Sequence, residues 1–156
     1  MKRTMPDDRF LTHYSIWGET LDVQQLLAKA RPHGRHEVWR RGDPTLLGTP
    51  ATTSGLAMSL YHGSSQAALC RAVERFLRRE DHFLRLARRR RLSGIHSGVS
   101  TLICVGADEL QPIGVELPTD VLQLIGIAGL SWAVGASVFT AKASHRRKGP
   151  RRPTRG

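Results

Sequence analysis

The chain has 156 residues, enough for one domain with a buried core, and its apolar share of 40% is that of a globular protein. Its formal net charge of +11 is unusual, but seven of the positive charges lie from Lys142 onward, where no acidic residue follows. This distribution excludes a strongly basic domain and assigns most of the charge excess to the C-terminal segment.

The N-terminal segment and the two cysteines bear on the compartment. Lys2 and Arg3 are not followed by an apolar run, so we expect no secretory signal. Cys70 lies in a helical pattern and Cys104 in a strand pattern; a disulfide stays open, but without a signal two buried free thiols are the expectation. We therefore expect a cytoplasmic bacterial protein.

In the first half of the chain, alternation of apolar and polar residues predicts strands and one helical spacing predicts a helix. The helix follows Asp22, which can cap its first turn, and it ends before Pro32 and Gly34. The strands are predicted at 9–17, 36–41 and 56–61, and a long loop of turn residues separates the last two.

The central region predicts two consecutive helices and then a strand. Ser64 or Ser65 can cap the first helix, and we expect a break at 80–82 before the second helix, which Gly94 ends. The β-branched residues at 99–105 give the strongest strand signal of the chain.

Residues 120–139, DVLQLIGIAGLSWAVGASVF, allow two interpretations. No charge appears from 121 to 141, and about 20 apolar residues can span a bilayer. However, the spacing predicts a helix from Val121 to Ala128, Gly129 can end it, and the alternation after Ser131 predicts a strand. The similarity of DVLQLI to DVQQLL at 22–27 also favours a helix followed by a strand over a membrane span.

The element order β-α-β-β-α-α-β-α-β predicts an α+β fold, with a largely antiparallel sheet, helices on one face and split β-α-β-like halves. We expect residues 1–7 to be disordered, residues 8–140 to form the single domain and residues 141–156 to form a disordered basic tail.

No motif predicts catalysis or a bound cofactor. His33 and His36 have a spacing that metal sites use, but no CxxC or HExxH accompanies them. His62 lies near serines without a GxSxG motif, and no glycine-rich phosphate loop is present. We therefore expect no enzymatic activity, no metal and no cofactor.

The basic segments are candidate contacts for nucleic acid or another anionic surface. Positive charge at the end of a helix also complements the helix dipole, and a solvated arginine-rich face is the alternative. The candidate anion contacts are Arg78, Arg79, Arg85, Arg88, Arg89, Arg90, Arg91, Arg146, Arg147, Lys148, Arg151 and Arg152.

The three tryptophans fall at the ends of predicted strands, where they can edge the core or form a partner interface. Together with Arg40 and Asp43, which follow Trp39 closely, they define a candidate partner surface of Trp17, Trp39, Arg40, Asp43 and Trp132.

The segments FLTHYSIWG, LDVQQLL, VWRRGDP and ELPTDVLQLIGIAGLSWAV together resemble a family of small bacterial α+β proteins that is classified as a domain of unknown function. The resemblance covers Phe10 to Phe139 and implies no catalytic residues. Some proteins of this size and architecture act as immunity or accessory partners in bacterial competition systems. The basic tail departs from the family pattern.

These observations lead to three hypotheses. The first is a non-enzymatic binding protein that recognises a protein partner, with an immunity-type inhibitor as one form. The second is a nucleic-acid-associated protein that binds through the arginine-rich helix end and the tail. The third is membrane attachment through residues 121–141, which we expect least. The oligomeric state is left open.

Overall fold

A computed structural model describes residues 9–45, 47–89, 94–106 and 114–139. The strands are β1 (Phe10–Gly18), β2 (Glu37–Trp39), β3 (Ser54–Gly63), β4 (Ile95–Gly106) and β5 (Ser131–Phe139). The helices are α1 (Val23–Lys29), α2 (Gln66–Arg79), α3 (Asp81–Arg89) and α4 (Thr119–Ala128). Their order along the chain is the predicted one, and the α+β class is confirmed.

All five strands form one sheet in the order β2-β3-β1-β4-β5. Three of the four pairings are antiparallel, and only β4 and β5 run parallel. Because β3 lies between β1 and β2 and is antiparallel to both, the β1-α1-β2 unit is a split β-α-β. The second half differs from the predicted split arrangement: β4 and β5 are direct neighbours, since no described strand remains to be inserted between them.

The polar residues that punctuate the sequence place the ends of the helices. The Asp22 carboxylate accepts a hydrogen bond from the Gln25 N–H at 2.9 Å and caps α1. The Ser65 hydroxyl accepts one from the Ala68 N–H at 3.2 Å and caps α2. The predicted break falls at Glu80, between α2 and α3.

Residues 120–139 fold as the helix and strand that the sequence predicts. Gly129 ends α4 with φ of 67°, a left-handed conformation that glycine adopts without strain. Among the described residues, no helix has the length and apolar character that a membrane crossing needs. Residues 140 and 141 of the proposed span lie outside the described ranges.

The core lies between one face of the sheet and the helices. Phe10, Tyr14 and Ile16 alternate along β1 and are buried, and the buried side chains of α1–α4 join them in a single cluster. We name this side of the sheet the covered face. Its buried polar groups are paired: the Thr12 and Thr101 hydroxyls lie 2.9 Å apart, and the Tyr14 hydroxyl lies 2.9 Å from the Ser97 Oγ.

The predictions on the two ends of the chain and on the cysteines remain to be compared with the structure. The disorder expected for 1–7 and for the basic tail concerns residues outside the described ranges. Cys70 and Cys104 are not joined in a disulfide; Cys104 is buried and Cys70 is half-buried.

Candidate functional site

The side of the sheet opposite the core, which we name the open face, packs against none of the four helices. It is formed by the intervening residues of the same strands, so His13 of β1 is exposed while its neighbours Thr12 and Tyr14 are fully buried. A single-layer sheet exposes one face to solvent or to a partner, and antiparallel sheets commonly do so.

One row of the open face carries aromatic side chains across four strands. Trp39 of β2 and Trp17 of β1 both pair with Gly55 of β3, and Trp17 also pairs with His96 of β4. The Trp17 indole stacks on the His96 imidazole, with ring centroids 5.5 Å apart and an angle of 26° between the planes. We name Trp39, Gly55, Trp17 and His96 the aromatic row.

Gly55 makes room for this row. A Cβ atom at Gly55 would overlap the indole ring of Trp39, so that ring lies directly over the glycine backbone. A side chain at Gly55 would therefore displace the Trp39 indole from the surface of the sheet.

Beside the aromatic row, two further rows of the open face consist mostly of small residues and carry little charge. The next two rows across the sheet contain Glu37, Ala57, Ser15, Gly98 and Ser131, then Ser59, His13, Ser100 and Ala133. Glu37 is their only Asp, Glu, Lys or Arg residue. This part of the open face, which we name the small-residue floor, is flat and nearly neutral.

A histidine-lined depression of about 880 Å³ borders the small-residue floor next to the short strand β2. Four of the seven histidines of the chain line it: His13, His33, His36 and His62. They come from β1, from the loop before β2 and from β3, so the predicted His33–His36 pair is only part of this cluster. Within the described residues, no group of three or more His, Cys, Asp or Glu side chains can hold a metal ion.

Ser59 and His62 form the one contact in this depression that resembles a nucleophile and a base. The Ser59 Oγ lies 2.9 Å from the His62 Nε2, and both residues are exposed. A third group that holds the base is the usual completion of such a pair. In the described part of the chain, no hydrogen bond joins the His62 Nδ1 to such a group.

The loop before β2 is held in place by Glu80, which is buried at the junction of α2 and α3. Its carboxylate accepts hydrogen bonds from the His33 N–H at 2.9 Å, from the Gly34 N–H at 3.2 Å and from the Arg79 Nε at 2.9 Å. Burial disfavours the charged carboxylate, but the hydrogen bonds from His33 and Arg79 outweigh it, and the pKa of Glu80 lies below its usual value. An ionised buried carboxylate therefore positions one wall of the depression.

Most of the described candidate anion contacts have partners within the protein. Arg78 pairs with Glu74 at 2.9 Å, Arg79 with Glu80 at 2.9 Å, and Arg85 with Asp81. Arg88 donates to the Ile127 carbonyl oxygen at 2.9 Å, near the end of α4.

Of the remaining candidate anion contacts, the structure describes only Arg89. Arg89 is exposed at the end of α3. The others, Arg90, Arg91, Arg146, Arg147, Lys148, Arg151 and Arg152, lie outside the described ranges. Their assignment to nucleic acid stays a prediction.

The structure brings part of the candidate partner surface together. Trp17 and Trp39 share the aromatic row, and Arg40 and Asp43 form the turn that follows β2, where the Arg40 N–H donates to the Asp43 carboxylate at 2.6 Å. Trp132 is separate, because it pairs with the buried Val99 and therefore lies on the covered face. His96 and Gly55 complete the row, and no local sequence signal marks them.

No protein-family model matches the chain, and no curated protein matches it in sequence. The resemblance to a family of small α+β proteins therefore stays a prediction, and the function has to be inferred from the site itself.

Proposed function

We propose that this protein is a non-enzymatic binding protein that recognises a protein partner through the open face of its sheet. The observation that carries the proposal is the aromatic row next to the small-residue floor. The centres of protein interfaces are enriched in tryptophan and depleted of charged residues. The residues that contribute most binding energy, tryptophan among them, also cluster at these centres.

The contrast in charge supports a protein as the partner. The chain carries a net charge of +11, yet the small-residue floor contains one acidic residue and no Lys or Arg. A highly charged ligand would gain little from this nearly neutral surface, whereas an uncharged surface of another protein would be complementary to it. An immunity-type or accessory role in the bacterial cytoplasm is the finer form of this proposal, and it follows from the resemblance described above.

Site-specific photocrosslinking in the native host tests the proposal. A benzoylphenylalanine at His13, which is exposed on the open face, is expected to give one discrete protein adduct. The same probe at Arg75, exposed on α2, is the matched control and is expected to give none. Substitution Trp17→Ala should abolish the adduct, since truncation of a tryptophan hot spot costs about 2–4 kcal/mol of binding free energy.

Two outcomes would contradict the proposal. An adduct that forms from position 75 and not from position 13 would place recognition on the helices. An adduct from position 13 that persists in the Trp17→Ala variant would remove the role of the aromatic row.

Nucleic-acid binding is a second candidate, and one observation favours it. The exposed Arg40 and Arg41 directly follow Trp39, so cations lie beside aromatic side chains on which bases can stack. This candidate predicts that a labelled single-stranded oligonucleotide binds with an affinity that falls steeply as salt rises. It also predicts loss of binding in Trp17→Ala.

The predicted tail and helix-end contacts give a different result in the same titration. Binding through them depends on salt as well, but it is insensitive to Trp17→Ala because it needs no stacking. Fluorescence anisotropy of the full chain and of the Trp17→Ala variant across a salt series therefore separates the two modes. Absence of binding at low salt would eliminate both.

A further inference from the structure

Strand β5 forms one edge of the sheet, and the described residues give it none of the features that protect such edges. It pairs with β4 on its inner side, and no described strand pairs with its outer side. Its nine residues, SWAVGASVF, include no charged residue and no proline. Natural edge strands are usually short, charged or interrupted, because an unpaired strand is a template for another chain.

The opposite edge of the sheet shows that protection. Strand β2 has only three residues, begins with Glu37 and lies between the exposed Arg35 and Arg40. The two edges of one sheet are therefore built differently, and only β5 is suited to pair with another strand.

Exposed apolar side chains are concentrated around β5. Val134 of β5 is 46% exposed, and Leu122 and Ile127 of α4 are 47% and 70% exposed. These three account for most of the large apolar side chains that are exposed in the described part of the chain, the others being Val38 and Leu47. Single exposed apolar residues are ordinary, but Val134 on an unprotected edge strand and Leu122 on the neighbouring helix together indicate a surface that another chain covers.

We propose that the outer edge of β5 pairs with β5 of a second copy of this chain, antiparallel, to form a symmetric dimer with a continuous sheet. A two-fold axis perpendicular to the sheet keeps the helices of both copies on the same side. The two α4 helices then lie beside each other, above the paired strands. One symmetry operation thus covers Val134, which faces the helix side because it pairs with the buried Thr101, together with the flank of α4 that carries Leu122. An isolated peptide strand would leave α4 uncovered.

The basic tail determines the direction of pairing. Seven positive charges follow β5 in each copy. Antiparallel pairing places the two tails at opposite ends of a strand pair about 30 Å long, which is several times the Debye length of about 8 Å at physiological salt. Parallel pairing would place both tails side by side, where like charges repel.

Full overlap of the two strands places the two-fold axis at Gly135, the middle residue of β5. Val134 then lies opposite Ala136 of the partner subunit. Among the described side chains that then face each other, Val134 lies opposite Ala136, and Ala133 lies opposite Ser137; all are uncharged and no larger than valine, so none of these positions opposes like charges.

Sedimentation equilibrium of the full chain tests the dimer. The native chain is expected to be dimeric, and Val134→Lys should raise the dissociation constant at least about 100-fold, because it places two lysines near the axis. Val38→Lys is the matched control: Val38 is 39% exposed on the opposite edge strand, and its substitution should leave the dissociation constant unchanged. A native chain that is monomeric up to about 100 μM overturns the proposal, as does equal behaviour of the two variants.

Oxidative crosslinking tests the direction and the register independently of any loss of folding. A cysteine at Gly135 lies opposite itself across the axis, with Cβ atoms about 5 Å apart, and should form an intermolecular disulfide. A cysteine at Ala133, whose neighbour on β4 is Ser100, lies about 13 Å from its own copy in this register and should not crosslink. The native Cys70 and Cys104 are common to both variants. Crosslinking of the Ala133→Cys variant alone would overturn the proposed pairing.

The dimer and the proposed partner recognition can fail separately. Trp17 lies on β1, away from β5, so Trp17→Ala should abolish the photocrosslinked adduct and leave the dissociation constant of the dimer unchanged.

Discussion

The covered and open faces of the sheet are made from alternate residues of the same strands, and they differ in what their side chains do. Along β1, Tyr14 and Ile16 are fully buried, whereas His13 is exposed and Trp17 is half-buried against His96. The covered face contains large apolar residues and paired hydroxyls. The open face contains small residues and one row of aromatic rings.

This difference separates stability from recognition within a single element. Substitutions on the covered face remove buried contacts and leave cavities, so they are expected to act on the free energy of unfolding. Substitutions on the open face remove little burial, so they are expected to act on binding. The predictions below test this separation, beginning with the largest expected effect.

The largest effect is expected at Tyr14. Its ring lies 5.1 Å from the Phe76 ring and 6.2 Å from the Phe83 ring, centroid to centroid, and burial raises the pKa of its hydroxyl well above the usual range while the Ser97 hydrogen bond opposes this in part. Tyr14→Ala should lower the free energy of unfolding by about 3–5 kcal/mol. His13→Ala, the neighbouring control on the open face, should change it by less than about 0.5 kcal/mol.

Urea denaturation of the two variants and the native chain measures both values. Equal losses at the two positions would mean that the open face is as tightly packed as the covered face. That result would remove the distinction between them.

Much of the fold could be predicted from the sequence, because the signals that fix it are local. Asp22 and Ser65 cap helices through their own side chains, and Gly129 ends α4 through its own backbone conformation. Strand β4 was predicted to begin at Val99, but it begins at Ile95. The missed segment includes Gly98, over which the Ser131 side chain packs. That contact depends on the pairing with β5, and a glycine gives no strand signal of its own.

The second expected effect is at Glu80, which links the helices to the loop beside the open face. Glu80→Gln should lower the free energy of unfolding by about 2–3 kcal/mol, because it weakens charge-assisted hydrogen bonds from buried backbone N–H groups and from Arg79. The free energy of unfolding of the variant should also change less than that of the native chain as pH falls. The pKa of the folded carboxyl is lowered, so its stabilisation is present above the ordinary carboxyl pKa and is lost as pH falls through the folded value.

Urea midpoints measured from about pH 6 down to about pH 3 check this effect. The difference in urea midpoint between the native chain and the Glu80→Gln variant should become smaller as pH falls. A difference that stays constant would show that Glu80 stabilises the loop without being ionised. Glu74→Gln is the matched control, since that carboxylate pairs with the exposed Arg78 and should contribute less than about 0.5 kcal/mol.

The candidate site was less predictable than the fold, because it is assembled by strand pairing. Trp17 and Trp39 were predicted to belong to a partner surface, and they do share the aromatic row. Trp132 was grouped with them, yet its pairing with Val99 turns it to the covered face. A shift of one residue in register exchanges the two faces of a strand, so the face of an isolated tryptophan cannot be read from local alternation.

The smallest effect on stability, and the most specific to the open face, is expected from Gly55→Ala. The new methyl group would overlap the Trp39 indole, which is the mobile end of a side chain and can rotate away. The free energy of unfolding should therefore change by less than about 1 kcal/mol, while the Trp39 ring leaves the aromatic row.

Fluorine NMR of 5-fluorotryptophan-labelled protein measures the displacement of the Trp39 ring, since the Trp39 resonance should shift and the Trp132 resonance should not. Gly135→Ala is the matched control on the same face, because a Cβ there meets the Leu102 Cδ1 at an ordinary 3.6 Å. If Trp39 keeps its resonance in the Gly55→Ala variant, its ring does not lie over Gly55. The aromatic row would then end at Trp17, and its reach across four strands, on which the proposed interface depends, would be reduced to two.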